Sequence, residues 1–117
     1  MTLKRVYCQH FPFQGYVALT CFPWLFIRQS AKQRFTPTAY RHELTHAHQQ
    51  VELLWLLFFI IYGLEYIVKL LITFSHNKAY HSISFEQEAY ATQGKVDYNT
   101  NRKHYAWIKY IFKLYNK

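Results

Sequence analysis

Two histidines and a glutamate stand together in the segment His42-Glu43-Leu44-Thr45-His46, an HExxH motif. Residues four positions apart in an α-helix project from one face, so both imidazoles can bind a single metal ion. Glu43, next to the first histidine, can reach a water molecule at that ion and take its proton. The pattern predicts a Zn²⁺ site with His42 and His46 as ligands and Glu43 as the catalytic base. The alternative is a helix on which these are ordinary surface residues.

A catalytic zinc site needs a third protein ligand and keeps one position open, whereas a structural site uses four ligands. The candidates for the third ligand all carry an imidazole or a carboxylate: His48, His76, His81, Glu86, Glu88 and His104. His48 follows His46 by two residues, about 200° around a helix, which makes it a poor co-ligand. Glu86 and Glu88 lie in one short segment, and either would complete a His₂Glu site of the metallohydrolase type.

A resemblance to a known group rests on the HExxH motif and on an E-x-x-A pattern that follows a hydrophobic stretch. In this respect the chain resembles the gluzincin metallopeptidases, and most nearly the membrane-associated prenyl-protein and heat-shock zinc proteases, where the second pattern is ExxAD. The segment HELTHAHQQ also resembles a short peptidase-like domain of bacterial toxin-associated proteins. The resemblance implies that Glu86 is the third ligand, because Ala89 matches the alanine of the family.

The same resemblance implies how a substrate would bind and where this chain departs from the family. Members present an extended substrate along an edge strand that precedes the HExxH helix, here a strand within residues 16–28. A hydrogen-bond donor to the oxyanion is also needed, and Tyr80, His81 and Tyr98 are the candidates. The aspartate that orients the histidine ligands in the family is replaced by Tyr90, so this chain departs from the family in the support of its histidines.

The elements that must position these residues predict an α+β fold. Residues 16–28 are β-branched and aromatic and predict a strand pair, with Pro23 at a turn, bulge or edge. Thr36 and Pro37 are typical of a helix start, and the uninterrupted residues up to Tyr62 predict one HExxH helix over about 38–62. We expect Gly63 to bend this helix or to separate it from a long apolar helix ending near Phe74.

Two shorter segments complete this expectation. The residues from Ser75 to Tyr80 are interpreted as a loop, and a short helix that bears Glu86 is expected over about 84–92. Together these elements predict a small zincin-like domain that spans residues 1–117 as a single unit. Its order is an N-terminal strand pair, the HExxH helix, the long apolar helix and the short glutamate-bearing helix.

An apolar run follows the motif. The twelve residues 53–64 carry no charge, and the apolar character continues to Phe74 if Glu65 and Lys69 are accepted inside it. These two stand in the order and spacing of a helical ion pair. A helix that is apolar all round is covered by protein or by lipid. The sequence therefore leaves open whether residues 53–74 pack on this chain, on a partner or in a membrane.

Charge and composition limit the classes of function. The chain has 14 Lys and Arg against 6 Asp and Glu, and 51% of its residues are hydrophobic, which excludes a disordered tail. Cys8 and Cys21 are too few for a disulfide scaffold. The C-terminal segment alternates basic and aromatic residues, a pattern suited to a plain solvated surface, an anionic membrane or nucleic acid. No nucleic-acid-binding motif accompanies it.

The sequence thus predicts a zinc-dependent metallopeptidase that acts on a peptide or protein substrate. The alternative function is a catalytically degenerate, metallopeptidase-like module that binds metal and associates with a membrane or a protein partner. No secretory signal is evident at the N-terminus, so a cytoplasmic location is expected, with membrane association as a further option.

Overall fold

A computed structural model describes residues 2–11 and 16–114, and the fold over these residues is α+β, as the sequence predicts. The strands of the sheet are β1 (Lys4–Cys8), β2 (Ala18–Cys21) and β3 (Trp24–Arg28). The α-helices are α1 (Pro37–Glu52), α2 (Leu56–Thr73), α3 (His76–Ser82), α4 (Ser84–Thr92) and α5 (Tyr98–Asn101). Two 3₁₀ helices, Gln29–Arg34 and Ala106–Tyr110, complete the described elements.

The sheet has the strand order β1-β3-β2, which leaves β2 at an edge. β2 and β3 pair antiparallel around a turn at Phe22–Pro23 and form the strand pair predicted within residues 16–28. β1 pairs parallel with β3. It was not predicted from the sequence, because its residues do not alternate between apolar and polar side chains. Leu25 and Ile27 of β3 are fully buried, and they turn toward α1. Cys8 and Cys21 are free thiols.

Helix α1 begins where the sequence indicates. The Thr36 hydroxyl accepts a hydrogen bond from the Ala39 N–H at 3.1 Å, and Pro37 occupies the first helical position. The helix ends at Glu52, however, so the predicted HExxH helix over 38–62 is about ten residues too long. Gly63 lies inside α2, and the break expected there is also wrong.

The break falls instead at the apolar residues 53–55. Leu54 and Trp55 both have positive φ angles, 53° and 59°, which β-carbon-bearing residues rarely adopt. One tertiary and one local contact hold this turn: the Trp55 ring stacks on Phe22 of the β2–β3 turn, and the Trp55 N–H donates to the Gln50 carbonyl at 2.8 Å. Because the ring contact is long-range, local sequence signals do not reveal it.

Two further segments follow α2. The residues from Ser75 to Tyr80, interpreted from sequence as a loop, mostly belong to α3, and the Ser75 hydroxyl caps this helix by accepting from the Lys78 N–H. The loop prediction was wrong because this cap was not taken into account. Helix α4 covers residues 84–92, as predicted.

Helix α1 packs between the sheet on one side and helices α2 and α4 on the other. One apolar cluster packs it against the sheet through Ala47 and Leu25, while a second cluster lies under α2 and α4 around Phe58 and Phe85. Gln50, buried in α1, connects the helix to the β2–β3 hairpin: its side-chain oxygen accepts from the Phe22 N–H, and its amide donates to the Thr20 carbonyl, both at 2.7 Å.

We predict that Gln50→Leu lowers the free energy of unfolding by about 2–4 kcal/mol, because two backbone groups lose their partners at a buried position. Urea denaturation followed by circular dichroism measures this change. The matched control is Gln33→Leu at an exposed position, where we expect a change within about 0.5 kcal/mol. Equal stabilities of the two variants would contradict the role given to Gln50.

Candidate metal centre

The two histidines of the HExxH motif meet a glutamate from α4. His42 and His46 lie one turn apart on α1, and their Nε2 atoms are 3.2 Å from each other. The Oε1 atom of Glu86 is 3.2 Å from each of these nitrogens. All three side chains are buried, and their ligand atoms lie within 4.8 Å of one another. This His42–His46–Glu86 group, here the metal centre, can bind a metal ion.

The hydrogen bonds around the metal centre favour a cation at its middle. Nδ1 of His46 lies 2.9 Å from the Gln49 side-chain oxygen, and Nδ1 of His42 lies 2.8 Å from the Gln93 side-chain oxygen. Since an amide oxygen only accepts, each Nδ1 carries a proton, and each Nε2 of a neutral ring presents a lone pair. Two Nε2 atoms and a carboxylate oxygen then face one point, where a cation, either a proton or a metal ion, offsets their mutual repulsion.

The orientation of Gln49 is set by its other partners. Its amide nitrogen donates to the Phe85 carbonyl at 3.1 Å and to Glu88 Oε1 at 2.9 Å, which leaves the side-chain oxygen for His46. Gln49 is fully buried, and the sequence alone did not distinguish a surface residue from a partner of the site at this position. Its spacing of three residues from His46 was the available signal.

In the family that the sequence resembles, an aspartate at the position of Tyr90 orients the histidine ligands. Here Gln93 orients His42 instead. Gln93 follows α4 and is held there by its carbonyl, which accepts from Nε of Arg41 at 2.8 Å. The Tyr90 ring packs against the His42 ring instead, with centroids 4.4 Å apart. Sequence reasoning missed Gln93, although its spacing of seven residues from Glu86 places both on one side of a continued helix.

Glu88 is excluded as the third ligand because both of its oxygens are occupied by other groups. Arg102 donates to Oε2 at 2.5 Å and to Oε1 at 2.9 Å, and the Tyr98 hydroxyl donates to Oε2 at 2.5 Å. Arg102 also binds Glu52 from α1, at 2.8 Å. This buried ion pair fastens α4 and the following segment to α1, and so it holds Glu86 opposite the histidines.

The remaining histidine candidates lie outside the metal centre. His48 is half-buried, and burial together with the charge of Arg102 lowers its pKa. His76 contacts the hydroxyl of Tyr66, and His81 Nδ1 lies 2.8 Å from the Asn77 carbonyl. His104 is exposed and lies 3.2 Å from Glu52.

Charge within the metal centre shifts the pKa values of its groups in opposite directions. Burial lowers the pKa of His46, but the Glu86 carboxylate outweighs this effect and raises that pKa to about 9. Burial likewise acts to raise the pKa of Glu86, yet the two histidines hold it well below the ordinary range. Glu86 is therefore the anion of the group, and the Tyr62 hydroxyl from α2 donates to its second oxygen at 2.7 Å.

Glu43 lies beside the metal centre without belonging to it. Its Oε1 accepts a hydrogen bond from the Thr20 hydroxyl of β2 at 2.7 Å. Burial raises the pKa of the Glu43 carboxyl, although His46 and His42 oppose the shift. Thr20 was not singled out from sequence, since one threonine in a strand carries no distinguishing signal.

Two cavities flank the metal centre. The larger cavity has a volume of about 660 Å³ and is here called the polar cleft. His42, Arg34 and His81 are among the residues that line it. The smaller, of about 380 Å³, is reached by His46 and Glu86 and is here called the apolar cleft. Five residues line both cavities: Tyr16, Ala18, Glu43, His76 and Tyr80. The side chains predicted to do chemistry therefore face open space on two sides.

Comparisons with known proteins add no relative: no family model, no curated protein and no solved structure matches this chain. The resemblance in the HExxH and E-x-x-A patterns therefore stays a prediction, and the interpretation of the site depends on its geometry.

We predict that the purified chain binds one equivalent of Co²⁺, used as a visible-absorbing probe, and that Glu86→Gln weakens this binding by more than about 100-fold. Loss of a direct ligand should exceed the 10–100-fold effect typical of an outer partner. The matched control is Asp97→Asn, at an exposed carboxylate outside the site, which should keep stoichiometric binding. Equal affinities of the wild type and Glu86→Gln would contradict the ligand assignment.

We further predict that Gln49→Leu weakens Co²⁺ binding by about 10–100-fold, because the His46 ring loses the acceptor that fixes its tautomer. Its neighbour Gln50→Leu affects only backbone partners and should leave Co²⁺ affinity within about threefold of the wild type. Isothermal titration on variants with native circular dichroism spectra compares the two. A larger loss in Gln50→Leu would argue against the positioning role of Gln49.

Proposed function

We propose that this chain is a zinc-dependent metallopeptidase. The main support is the position of Glu43: a carboxylate that is not a ligand stands next to His42 and lines both clefts beside three convergent ligand atoms. A structural site has no need for such a group, whereas hydrolysis requires one.

The donor set suits zinc. Two imidazole nitrogens and one carboxylate oxygen match the three-ligand arrangement that catalytic zinc sites use. When bound, the ion supplies Lewis acidity, which activates water and polarises a carbonyl group. Gln49 and Gln93 accept from the Nδ1 atoms, so that Nε2 is the atom that each ring presents to the ion, and Tyr62 holds the outer oxygen of Glu86 in place.

Glu43 would take up and release the proton. Its carboxylate is anchored by Thr20 at one oxygen, which leaves the other oxygen available toward the clefts. In this position it can accept a proton from attacking water and later pass it to the leaving amine.

The substrate would lie along the Ala18 end of β2, because the Thr20 carbonyl is already bound by Gln50. This strand is at the edge of the sheet, and its residues line both clefts: Ala18 lines each of them, and Thr20 lines the apolar one. An extended peptide paired with an edge strand gains main-chain hydrogen bonds and directs alternate side chains into neighbouring pockets. The apolar cleft would then accept an apolar side chain, and the polar cleft would accept the other half of the peptide.

Tyr80 is the donor best placed for the developing oxyanion. It lines both clefts, whereas the Tyr98 hydroxyl already donates to Glu88. Burial, followed by the nearby Glu86 carboxylate, raises the pKa of Tyr80 above the ordinary tyrosine value, which already exceeds neutral pH, so the hydroxyl is protonated. To reach the oxyanion it would turn from its hydrogen bond with Tyr90.

We predict that zinc-loaded wild-type protein cleaves members of a mixed peptide library and that Glu43→Gln lowers the cleavage rate by about 10²–10⁴-fold, the usual contribution of a general base. Mass spectrometry of the library measures cleavage, and metal analysis checks that Glu43→Gln retains one zinc. The matched control is Glu65→Gln, at a half-buried carboxylate in α2 that lines neither cleft.

Two results would overturn the proposal. If zinc-loaded wild type cleaves no peptide, the site belongs to a metal-binding module without catalysis. If cleavage continues unchanged in Glu43→Gln or in the presence of a chelator, the activity does not come from this centre.

A further inference from the structure

The outward side of α2 is uncovered. Nine of its 18 residues are exposed, and every one of them is Leu, Ile, Val or Phe. It is the one helix among the described residues with the length and composition of a membrane span, its mean hydropathy is 2.0, and only 11% of it is buried. Such a continuous apolar surface over about 27 Å of helix marks a site of interaction.

The charged groups of α2 all turn inward. Lys69 is buried, donates to Glu65 at 3.1 Å and also donates to the Ser82 carbonyl. Glu65 in turn accepts from the Ser84 N–H at 3.0 Å. The apolar surface is therefore free of charge because α3 and α4 take up both ionic groups on the opposite side.

The same inward contacts exclude lipid from one side of α2. Helix α3 packs along it and exposes His76, Asn77 and Lys78, which hydrocarbon would not solvate. A helix with one side packed on a polar protein and the other side apolar suits a position parallel to a bilayer surface rather than across it.

The C-terminal segment carries a second exposed apolar patch. Trp107 belongs to the apolar cluster that contains Phe58 of α2, and Ile111 packs against the same cluster. Between and beyond these anchors, Ile108 and Phe112 are 51% and 97% exposed. Lys109 lies between these two residues in the sequence and Lys113 follows them, and both lysines are exposed. Apolar groups flanked by lysines are typical of interfacial segments that bind anionic lipid.

The distribution of acids makes the surface strongly cationic. Five of the six acidic residues are engaged inside the fold, and among the described residues Asp97 is the one exposed acid. Within residues 2–11 and 16–114, nine basic residues are exposed: Lys4, Arg5, Lys32, Arg34, Lys78, Lys95, Lys103, Lys109 and Lys113. A second copy of this chain would bring two cationic surfaces together, and a nucleic acid would not cover an apolar helix.

We propose that the outward side of α2 together with Ile108 and Phe112 is a docking surface for an anionic lipid bilayer. Helix α2 lies parallel to the bilayer with its exposed Leu, Ile, Val and Phe side chains among the acyl chains, and the lysines contact the headgroups. Phe59 is exposed on α2 and also lines the apolar cleft, so that cleft opens at the lipid-facing side. This docking does not depend on peptidase activity.

The test is flotation of the full chain with vesicles of phosphatidylcholine, with or without phosphatidylglycerol, at low and high salt. We expect binding to the vesicles that contain phosphatidylglycerol and weaker binding at high salt. Leu71→Glu, at a position 66% exposed, should lower the partition coefficient about tenfold or more. The matched control is Val96→Glu, 74% exposed in the turn between α4 and α5, which should retain most of the binding.

A second pair of variants tests the charge. Lys109→Gln and Lys113→Gln should each lower binding to phosphatidylglycerol vesicles about fivefold. Absence of wild-type flotation, or equal flotation of Leu71→Glu and Val96→Glu, would overturn the proposal. So would a stable wild-type dimer that Leu71→Glu converts to a monomer without a change in vesicle binding, since a second copy would then cover α2.

Discussion

The convergence of His42, His46 and Glu86 is an electrostatic constraint on which the surrounding structure depends. Two imidazole Nε2 atoms and a carboxylate oxygen are held about 3.2 Å apart in a buried place, and this arrangement requires a shared proton or a metal ion between them. The scaffold compensates from outside: two glutamine oxygens fix the histidine tautomers, Tyr62 binds the outer oxygen of Glu86, and the Arg102 ion pairs tie the helices together.

The six acidic residues link this centre to the surface of the molecule. Each buried carboxylate has a named partner, since an unpaired charge in the interior would cost several kcal/mol. Glu86 faces the histidines, Glu52 and Glu88 share Arg102, and Glu65 binds Lys69. As almost all acids are used inside, the outside keeps an excess of lysine and arginine. The net charge of +8 is thus a consequence of internal pairing as well as a property that favours anionic partners.

The turn at residues 53–55 connects the proposed chemistry to the proposed docking surface. If α1 continued through this segment, the apolar residues beyond it would extend away from the fold. The reversal at Leu54 and Trp55 brings α2 back, so that Phe58 and Tyr62 pack near the metal centre while the opposite side of the helix stays uncovered. One helix thereby closes the apolar cleft on its inner side and presents an apolar surface on its outer side.

Local patterns in the sequence were sufficient to predict the α+β class, the start of α1 and the short helix at 84–92. They also predicted that His42, Glu43 and His46 lie together, because helix caps and helical spacing act over a few residues. The residues alone left Glu86 and Glu88 equivalent. Tertiary structure decided between them, since Arg102 lies fourteen residues away and occupies Glu88. It also decided the break after Glu52, the pairing of β1 and the roles of Gln49 and Gln93. The break and the β1 pairing depend on contacts between residues distant in the chain, which no local spacing encodes. The spacings of Gln49 from His46 and of Gln93 from Glu86 are compatible with their roles, but only the folded contacts assign those roles.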